Sequence, residues 1–286
     1  LGAELQAYLH REALLSEHRQ GEADRRRRRE ELEQRLPRFC GDPWWSMGVY
    51  SLAQDLDQVA SDPERRIRAR ALALEGERAY PGTHGAQRCR QLIAQIESPD
   101  YQLQSMTVDG ADRRSIEITH RNLAALYLRA YPVDLAAQLG RAEFRGFFPT
   151  DAREIERLLA TATPVAEWKV ALPPTADYLS HRTFVTPPLA KAGTYLLVAS
   201  AGRGFGESGN RRVALAFTLS DLVLIEEGQH LPWRVRLVSG RTGAPAGGVE
   251  VALYRNTWRA APERIATVRT DAAGRAEFAA TVAAAV

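Results

Sequence analysis

Hydrophobic and polar positions change their period near Ser98-Pro99. In the first third, Leu5, Leu9, Ala13, Leu32 and Leu36 recur at helical spacing with charges between them. Pro37 and Gly41-Asp42-Pro43 interrupt that pattern. The spacing predicts a second helix from Trp44 to Ala60, with Val49, Leu52, Leu56 and Val59 on one face. Asp62-Pro63 reads as an N-cap followed by a first-turn proline, opening a third helix that runs to about Tyr80. Pro81-Gly82 breaks it, and a fourth helix follows from His84 to Glu97 with Cys89, Leu92, Ile93 and Ile96 inward. Helices of this length with short turns predict an antiparallel bundle or an αα-repeat piece. Ala69, Gly76 and Pro81 match a tetratricopeptide spacing once, where a repeat array needs about three copies.

From Ser98-Pro99 onward the period becomes two. Leu103, Ser105, Thr107 and Val108 suggest a strand. Ile116, Ile118 and His120 alternate with Glu117 and Thr119, and Leu126 and Leu128 with Tyr127 and Arg129. Further strands are expected at Trp168–Leu172, Thr183–Val185, Thr194–Ala199 and Val213–Leu219. Turn signals separate them, among them Asp109-Gly110, Pro187-Pro188 and Ser208-Gly209. Between Asp134 and Thr163 the pattern is helical again, capped by Thr150 or Asp151 ahead of Ile155, Leu158 and Leu159. A second β unit is expected from Asp221, with strands at Leu222–Ile225, Trp233–Val238, Val249–Tyr254, Ile265–Thr270 and Ala276–Ala280. Thr270 to Gly274 reads as a hairpin turn. The expected fold class is α+β and multidomain. A helical domain at 1–98 precedes an antiparallel β-sandwich at 99–221, with a helical insertion near 134–163. A second, truncated sandwich follows at 222–286. Five strands there leave an open edge.

Charge excludes one class of partner. The 286 residues carry 38 basic and 35 acidic side chains, and only Lys169 and Lys191 are lysines. Residues 1–98 hold 16 of each sign, 99–221 hold 14 basic and 13 acidic, and 222–286 hold 8 and 6. No segment is a basic domain that would track phosphates, so no nucleic-acid partner is expected. The Arg25–Arg29 run lies among Glu22, Asp24, Glu30, Glu31 and Glu33, which suits i, i+4 pairs on a solvated helix. No stretch approaches the ~20 apolar residues of a membrane span, so direct insertion is not expected. Leu1–Leu15 contains Glu4, His10, Arg11 and Glu12 and does not read as a signal peptide. With Leu1 first and an apolar end at Val286, the chain reads as a segment of a longer protein.

Four stretches, in order, resemble the N-terminal part of bacterial α2-macroglobulin-like proteins. Tyr80-Pro81-Gly82-Thr83-His84-Gly85-Ala86 through Ile96 is similar to the short helix before their first β domain. His120-Arg121-Asn122-Leu123 with Leu126-Tyr127-Leu128-Arg129 looks like a strand-pair signature there, with His120 in place of the usual Tyr. Asp177-Tyr178 with His181, then Pro188-Leu189 to Tyr195-Leu196, looks like a third motif. Val238-Ser239-Gly240 through Leu253-Tyr254 resembles a hairpin of the following domain. The resemblance covers about residues 80–286. It implies a non-catalytic segment of a periplasmic or extracellular protease trap, membrane-anchored in some parents. Its partners would be proteases, met through the parent protein, other domains of the same chain and an envelope protein. The family's thioester motif, Cys-x-Glu-Gln, is not matched. Cys40 precedes Gly41-Asp42-Pro43, and Cys89 precedes Arg90-Gln91-Leu92.

No catalytic, cofactor or metal constellation stands out. The histidines are His10, His18, His84, His120, His181 and His230, and none forms a metal-ligand spacing. His181 near Asp177 could support acid–base chemistry, yet reads as a loop pair; no nucleophile elbow surrounds Ser180. Gly202-Arg203-Gly204-Phe205-Gly206 lies between strands and so lacks a helix N-terminus for phosphate. It reads as a flexible hairpin loop, and Gly204, Phe205 and Gly206 as a candidate partner-facing tip. Cys40 and Cys89 are either free thiols or, in an oxidising compartment, a bond worth roughly 4 kcal/mol on the chain-entropy model. Trp44 and Trp45 are expected to pack between helices. A second functional reading is a protein-binding module of helical repeats plus immunoglobulin-like domains, in a surface adhesin or envelope assembly protein. A third, an enzyme with accessory β domains, lacks an acid and base pair.

Overall fold

The computed structural model describes residues 2–16, 21–58, 62–106, 114–139, 146–149, 151–206, 210–227, 232–255 and 261–279. Val59, Thr107, Val108, Asp109-Gly110, Thr150, Ser208-Gly209, Ala280, His18 and His230 lie outside the described residues. The fold class is α+β, as expected, and the chain divides into two compact units.

The first unit comprises Leu1–Tyr101, Thr119–Ala124 and Pro173–His181. Its helices are α1 (Gly2–Ser16), α2 (Glu22–Arg35), α3 (Trp45–Asp57), α4 (Pro63–Ala79) and α5 (His84–Glu97), with a 3₁₀ turn at Leu36–Phe39. The α4 and α5 starts follow from their caps. Asp62 Oδ1 accepts from Arg65 N at 3.2 Å, and Thr83 Oγ1 accepts from Ala86 N at 3.2 Å. Leu5, Leu36, Val49, Leu52, Leu56 and Ile96 are buried in one apolar cluster, against which Trp45 packs. Trp44 is 36% exposed.

Helix α4 buries mainly small residues, Ala69, Ala73 and Gly76, together with Arg66, while Leu72 and Leu74 pack against the same core. Small residues let α3, α4 and α5 approach closely. A Cβ on Gly76 would stand 2.7 Å from Cys89 Sγ, and one on Gly85 would collide with the Met47 and Ser46 backbone. Ser46 Oγ uses that proximity to donate to Gly76 O at 2.7 Å. The Arg25–Arg29 run divides in two. Arg26 and Arg27 make helix-surface pairs with Glu30 and Asp24. Arg29 turns inward and pairs with Asp55 of α3 at 2.9 Å, its side chain only 10% exposed.

The second unit comprises Gln102–Ile118, Ala125–Leu172 and Arg182–Val286. Strands β1 (Asp100–Ser105), β2 (Ile116–Arg121) and β5 (His181–Val185) form a sheet in the order β1-β2-β5. Their ends at Asp100–Tyr101, Thr119–Arg121 and His181 fall in the first unit. Strands β3 (Ala125–Val133), β4 (Ala166–Ala171), β6 (Gly193–Ser200) and β7 (Arg212–Leu219) form an antiparallel sheet in the order β4-β3-β6-β7. Helices α6 (Leu135–Leu139) and α7 (Ala152–Thr161) lie between β3 and β4 in the sequence. Asp151 caps α7, accepting from Glu154 N at 2.8 Å. Ile155, Leu158 and Leu159 pack on Tyr131, Leu196 and Val198, so one face of β6 is covered by α7. Leu197 and Ala199, pointing the other way, are also fully buried, which explains why β6 reads as a continuous apolar run.

The remaining strands are β8 (Leu222–Glu226), β9 (Trp233–Ser239), β10 (Glu250–Arg255), β11 (Glu263–Arg269) and β12 (Arg275–Phe278). A three-stranded sheet in the order β12-β9-β8 faces the β10-β11 pair. Val235, Leu237, Ala276 and Phe278 pack there against Val251, Leu253, Ala266 and Val268. Gly274 takes φ +74° in the hairpin turn, where a Cβ would collide with Leu237 O. β8 is different. It is an edge strand, and Leu222 to Ile225 are each 40–51% exposed.

Candidate functional site

Two of the sequence motifs, fifty residues apart, meet at the C-terminal end of α5, inside the first unit. A helix leaves its last carbonyls without intrahelical donors. Asn122 supplies them from the end of β2: its Nδ2 donates to Ile96 O at 2.7 Å and to Ser98 O at 3.2 Å. The Asn122 backbone is left-handed, φ +55°, a conformation Asn tolerates better than most residues. Its own N–H donates to Thr175 Oγ1 at 2.8 Å. Thr175 is buried, and its carbonyl accepts from Tyr178 N at 2.9 Å.

The 173–181 loop is fixed from there. Tyr178 is the other non-glycine residue with positive φ, +59°, among the described residues. Its ring packs against the helical core, and the Arg70 guanidinium of α4 lies over it, 5.4 Å from the centroid. Arg70 Nε also donates to Glu97 of α5 at 2.6 Å. Asp177 Oδ1 accepts from Leu179 N at 3.1 Å, closing an Asx turn. Both Asp177 oxygens lie 2.9 Å from His181 Nε2. Burial works against ionisation of Asp177, but the His181 and Leu179 hydrogen bonds outweigh it and hold the carboxyl below its ordinary range. On β2, His120 is 1% exposed; burial first, and His181 second, hold its imidazole below the usual value.

The His181 imidazole is engaged by Asp177, whose two oxygens both lie 2.9 Å from its Nε2, and among the described residues no hydrogen bond joins it to Ser180. Among those residues, no group of three His, Cys, Asp or Glu could hold a metal ion. An open cavity of about 520 Å³ in the second unit is lined by Tyr131, Phe147, Phe148, Leu158 and Leu196, with Arg157 and Glu154 at its polar side. No helix among the described residues is long and apolar enough to cross a membrane.

The remaining candidate residues lie elsewhere. Phe205 is not a partner-facing tip: it is 2% exposed, packed with Tyr131, Leu196 and Val198. The Arg129 guanidinium covers its ring at 4.2 Å. Its loop is tied down. Asn210 Nδ2 donates to Ser200 Oγ at 2.7 Å and to Gly204 O at 3.1 Å, and Arg212 Nη1 donates to Phe205 O at 3.2 Å. Gly206 alone of Gly204, Phe205 and Gly206 is exposed. An aromatic ring between glycines is drawn into the nearest apolar cavity, and this one lies under α7. Cys40 and Cys89 are both free thiols. Cys40 is exposed. Cys89 is fully buried, and its Sγ lies 3.6 Å from Ser46 O. Burial, then Glu77, pushes the Cys89 thiol up to about 11.

The sequence did not reveal that Asn122, Thr175 and Tyr178 act together. The available signal was composition, with an Asn directly after a strand and a Tyr in a proline-flanked loop. An α+β chain with a helical prefix braced by strand-end and loop residues is thus the class that fold and site define. No protein-family model matches the chain, and no curated protein sequence does. It is similar to a crystal structure of native α2-macroglobulin from Escherichia coli spanning domains MG0-NIE-MG1. Identity is 21% and the TM-score 0.46, over 64% of this chain and 58% of that one. It is also similar to a structure of the same protein spanning NIE-MG1. There identity is 18% and the TM-score 0.43, over 63% of this chain and 86% of that one. The chain thus spans a little over half of the three-domain fragment.

Proposed function

We propose that this chain is a non-catalytic structural segment of a bacterial α2-macroglobulin-like protease trap of the cell envelope. In this reading a helical domain at 1–98 leads into macroglobulin-like β domains at 99–221 and 222–286. Its work is to hold other parts of the parent protein, which meet the protease. The observation that carries the reading is the joint at Asn122. The residues of two motifs by which the sequence resembles this family, His120-Arg121-Asn122 and Asp177-Tyr178 with His181, converge on the end of the third, helix α5. Motif residues spent on helix capping and loop anchoring serve architecture rather than turnover.

The test is to read the complete reading frame containing this chain and to express its whole product. The frame is expected to continue into further macroglobulin-like β domains. The whole product is expected to protect a large protein substrate from an added protease while leaving a small peptide substrate cleavable. Free proteolysis of the large substrate, or turnover of peptide or glycan substrates by the 286-residue chain itself, contradicts the proposal.

A further inference from the structure

Neighbouring domains move against each other by default unless something takes up that motion. Strands β7 and β8 are joined only by Ser220-Asp221. We infer that Asp221 is a latch that fixes the β8–β12 layers at one angle to the β4-β3-β6-β7 sheet, so that the two move as one piece. The use of such a latch rests on the scaffold reading, since a segment that holds other parts of a parent protein needs a stiff joint; its test does not.

Hydrogen bonds close on the connection from both sides. Pairing in the first sheet runs to the last residue of β7, Leu219 opposite Gly193. Pairing in the next sheet begins at Leu222 opposite Ser239. Asp221, between them, is already bound to the second sheet by three bonds. Its Oδ2 accepts from Ser239 Oγ at 2.7 Å, its Oδ1 from Arg241 N at 3.0 Å, and its backbone carbonyl from Gly240 N at 2.5 Å. Ser220 alone stands between Asp221 and the last pair of β7, and its Oγ accepts from Leu222 N at 3.0 Å. No residue of the connection is therefore left to swing.

The 239–244 turn that holds Asp221 is itself tightly wound. Gly243 takes φ +71°; its N–H donates to Ser239 O at 2.8 Å, and the Thr242 N–H donates to Ser239 Oγ at 3.2 Å. Gly240 lets the turn come close to β8: a Cβ there would stand 3.1 Å from Val223 Cγ2. Side-chain packing at the joint is incomplete. Beside Asp221 lies an open cavity of about 320 Å³, lined by Pro187, Leu189 and Phe217 on one side and by Arg241 on the other. With that gap, the bonds of one carboxylate rather than a packed interface set the angle.

The experiment is a spin-label distance measurement on the full chain carrying Cys40→Ser; Cys89 is buried and stays unlabelled. Labels go on Ala171→Cys of β4 and Ala252→Cys of β10, both exposed positions. One narrow distance distribution is expected. Asp221→Ala is expected to widen it by about twofold or more, as a freed connection does. A control pair within the β8–β12 layers, Ala252→Cys with Glu277→Cys, is expected to stay narrow in Asp221→Ala. Should the control pair widen too, that variant has unfolded, and an insertion of two glycines after Ser220, which leaves the latch residues in place, gives the reading instead: it is expected to widen the distribution between positions 171 and 252. A broad distribution with Asp221 intact, an unchanged width in folded Asp221→Ala, or an unchanged width after the insertion overturns the inference. Failure of the whole product to protect a large substrate from protease overturns the scaffold reading and leaves these distances as they are.

Discussion

The side-chain amide of Asn122 donates to the Ile96 carbonyl at 2.7 Å, across twenty-six residues of chain. That bond joins the last turn of α5 to the end of β2, and the same residue reaches Thr175 through its backbone. Asn122→Ala removes both carbonyl contacts and places Ala at φ +55°, which L-residues with a Cβ disfavour. The loss expected is about 1–2 kcal/mol, from the partly buried Ile96 carbonyl left unpaired and from backbone strain; the exposed Ser98 carbonyl is taken up by water. Asn122→Gly relieves the strain and keeps the unpaired carbonyls. It is expected to lose less than Asn122→Ala. Urea denaturation of the two variants separates the contributions.

Close helix approach gives a second expectation. Gly85→Ala drives a methyl into the Met47 and Ser46 backbone, which cannot move aside as a flexible side chain would. A loss of about 1–3 kcal/mol is expected, as for other overpacked sites. Gly41 has open space around it and a negative φ, so Gly41→Ala is expected to stay within ~0.5 kcal/mol of the wild type. Thermal unfolding of the pair checks both.

Arginines in the same run should differ sharply. Arg26 pairs with Glu30 with 75% of its side chain exposed, and Arg26→Ala is expected to leave stability essentially unchanged, because water screens an exposed pair. Arg29→Ala leaves the Asp55 carboxylate, 22% exposed, without its partner and is expected to cost about 2–3 kcal/mol. The loss should be insensitive to salt at 0.5 M, because a largely buried pair is poorly screened.

Thiol chemistry separates the two cysteines. With Ellman's reagent at pH 8, one thiol per chain should react quickly, that of Cys40, and the second only in denaturant. Cys89 is buried and holds its proton up to about 11, so almost no thiolate is present at pH 8. No rapid thiol in the native chain would indicate a Cys40–Cys89 bond.

The β8 edge is exposed and apolar from Leu222 to Ile225. Leu224→Lys is expected to leave thermal stability within ~0.5 kcal/mol and to raise the concentration at which the chain precipitates, since a charged edge strand resists pairing with another chain. A large loss of stability would show instead that Leu224 is part of a core.

Element by element, the helix caps and the two periods were enough to place most of the fold. The expected fourth helix, His84 to Glu97, coincides with α5, Asp62-Pro63 starts α4 as expected, and of the two expected caps, Thr150 or Asp151, it is Asp151 that starts α7. Expected strand limits such as Thr194–Ala199 and Trp233–Val238 fall within a residue of β6 and β9. Local patterns register burial and chain reversal, and these elements depend on little else. The joint was not legible, because its bonds link residues far apart in sequence. Asn122, Thr175 and Ile96 carry no common period, and the left-handed turn at Tyr178 contradicts local propensity. Phe205 and Arg29 misled for a related reason. A glycine-flanked ring and an arginine run both look solvated until a partner element is in place to bury them.

The central claim is that α5 and the 173–181 loop are held as one structure by Asn122. Hydrogen exchange at pH 8 on the wild type and Asn122→Ala tests it most directly, with peptides read from α5 and from 173–181. Loss of protection in both segments together, by about tenfold or more, is the result this account requires. Unchanged protection in α5 while the loop alone opens would contradict it.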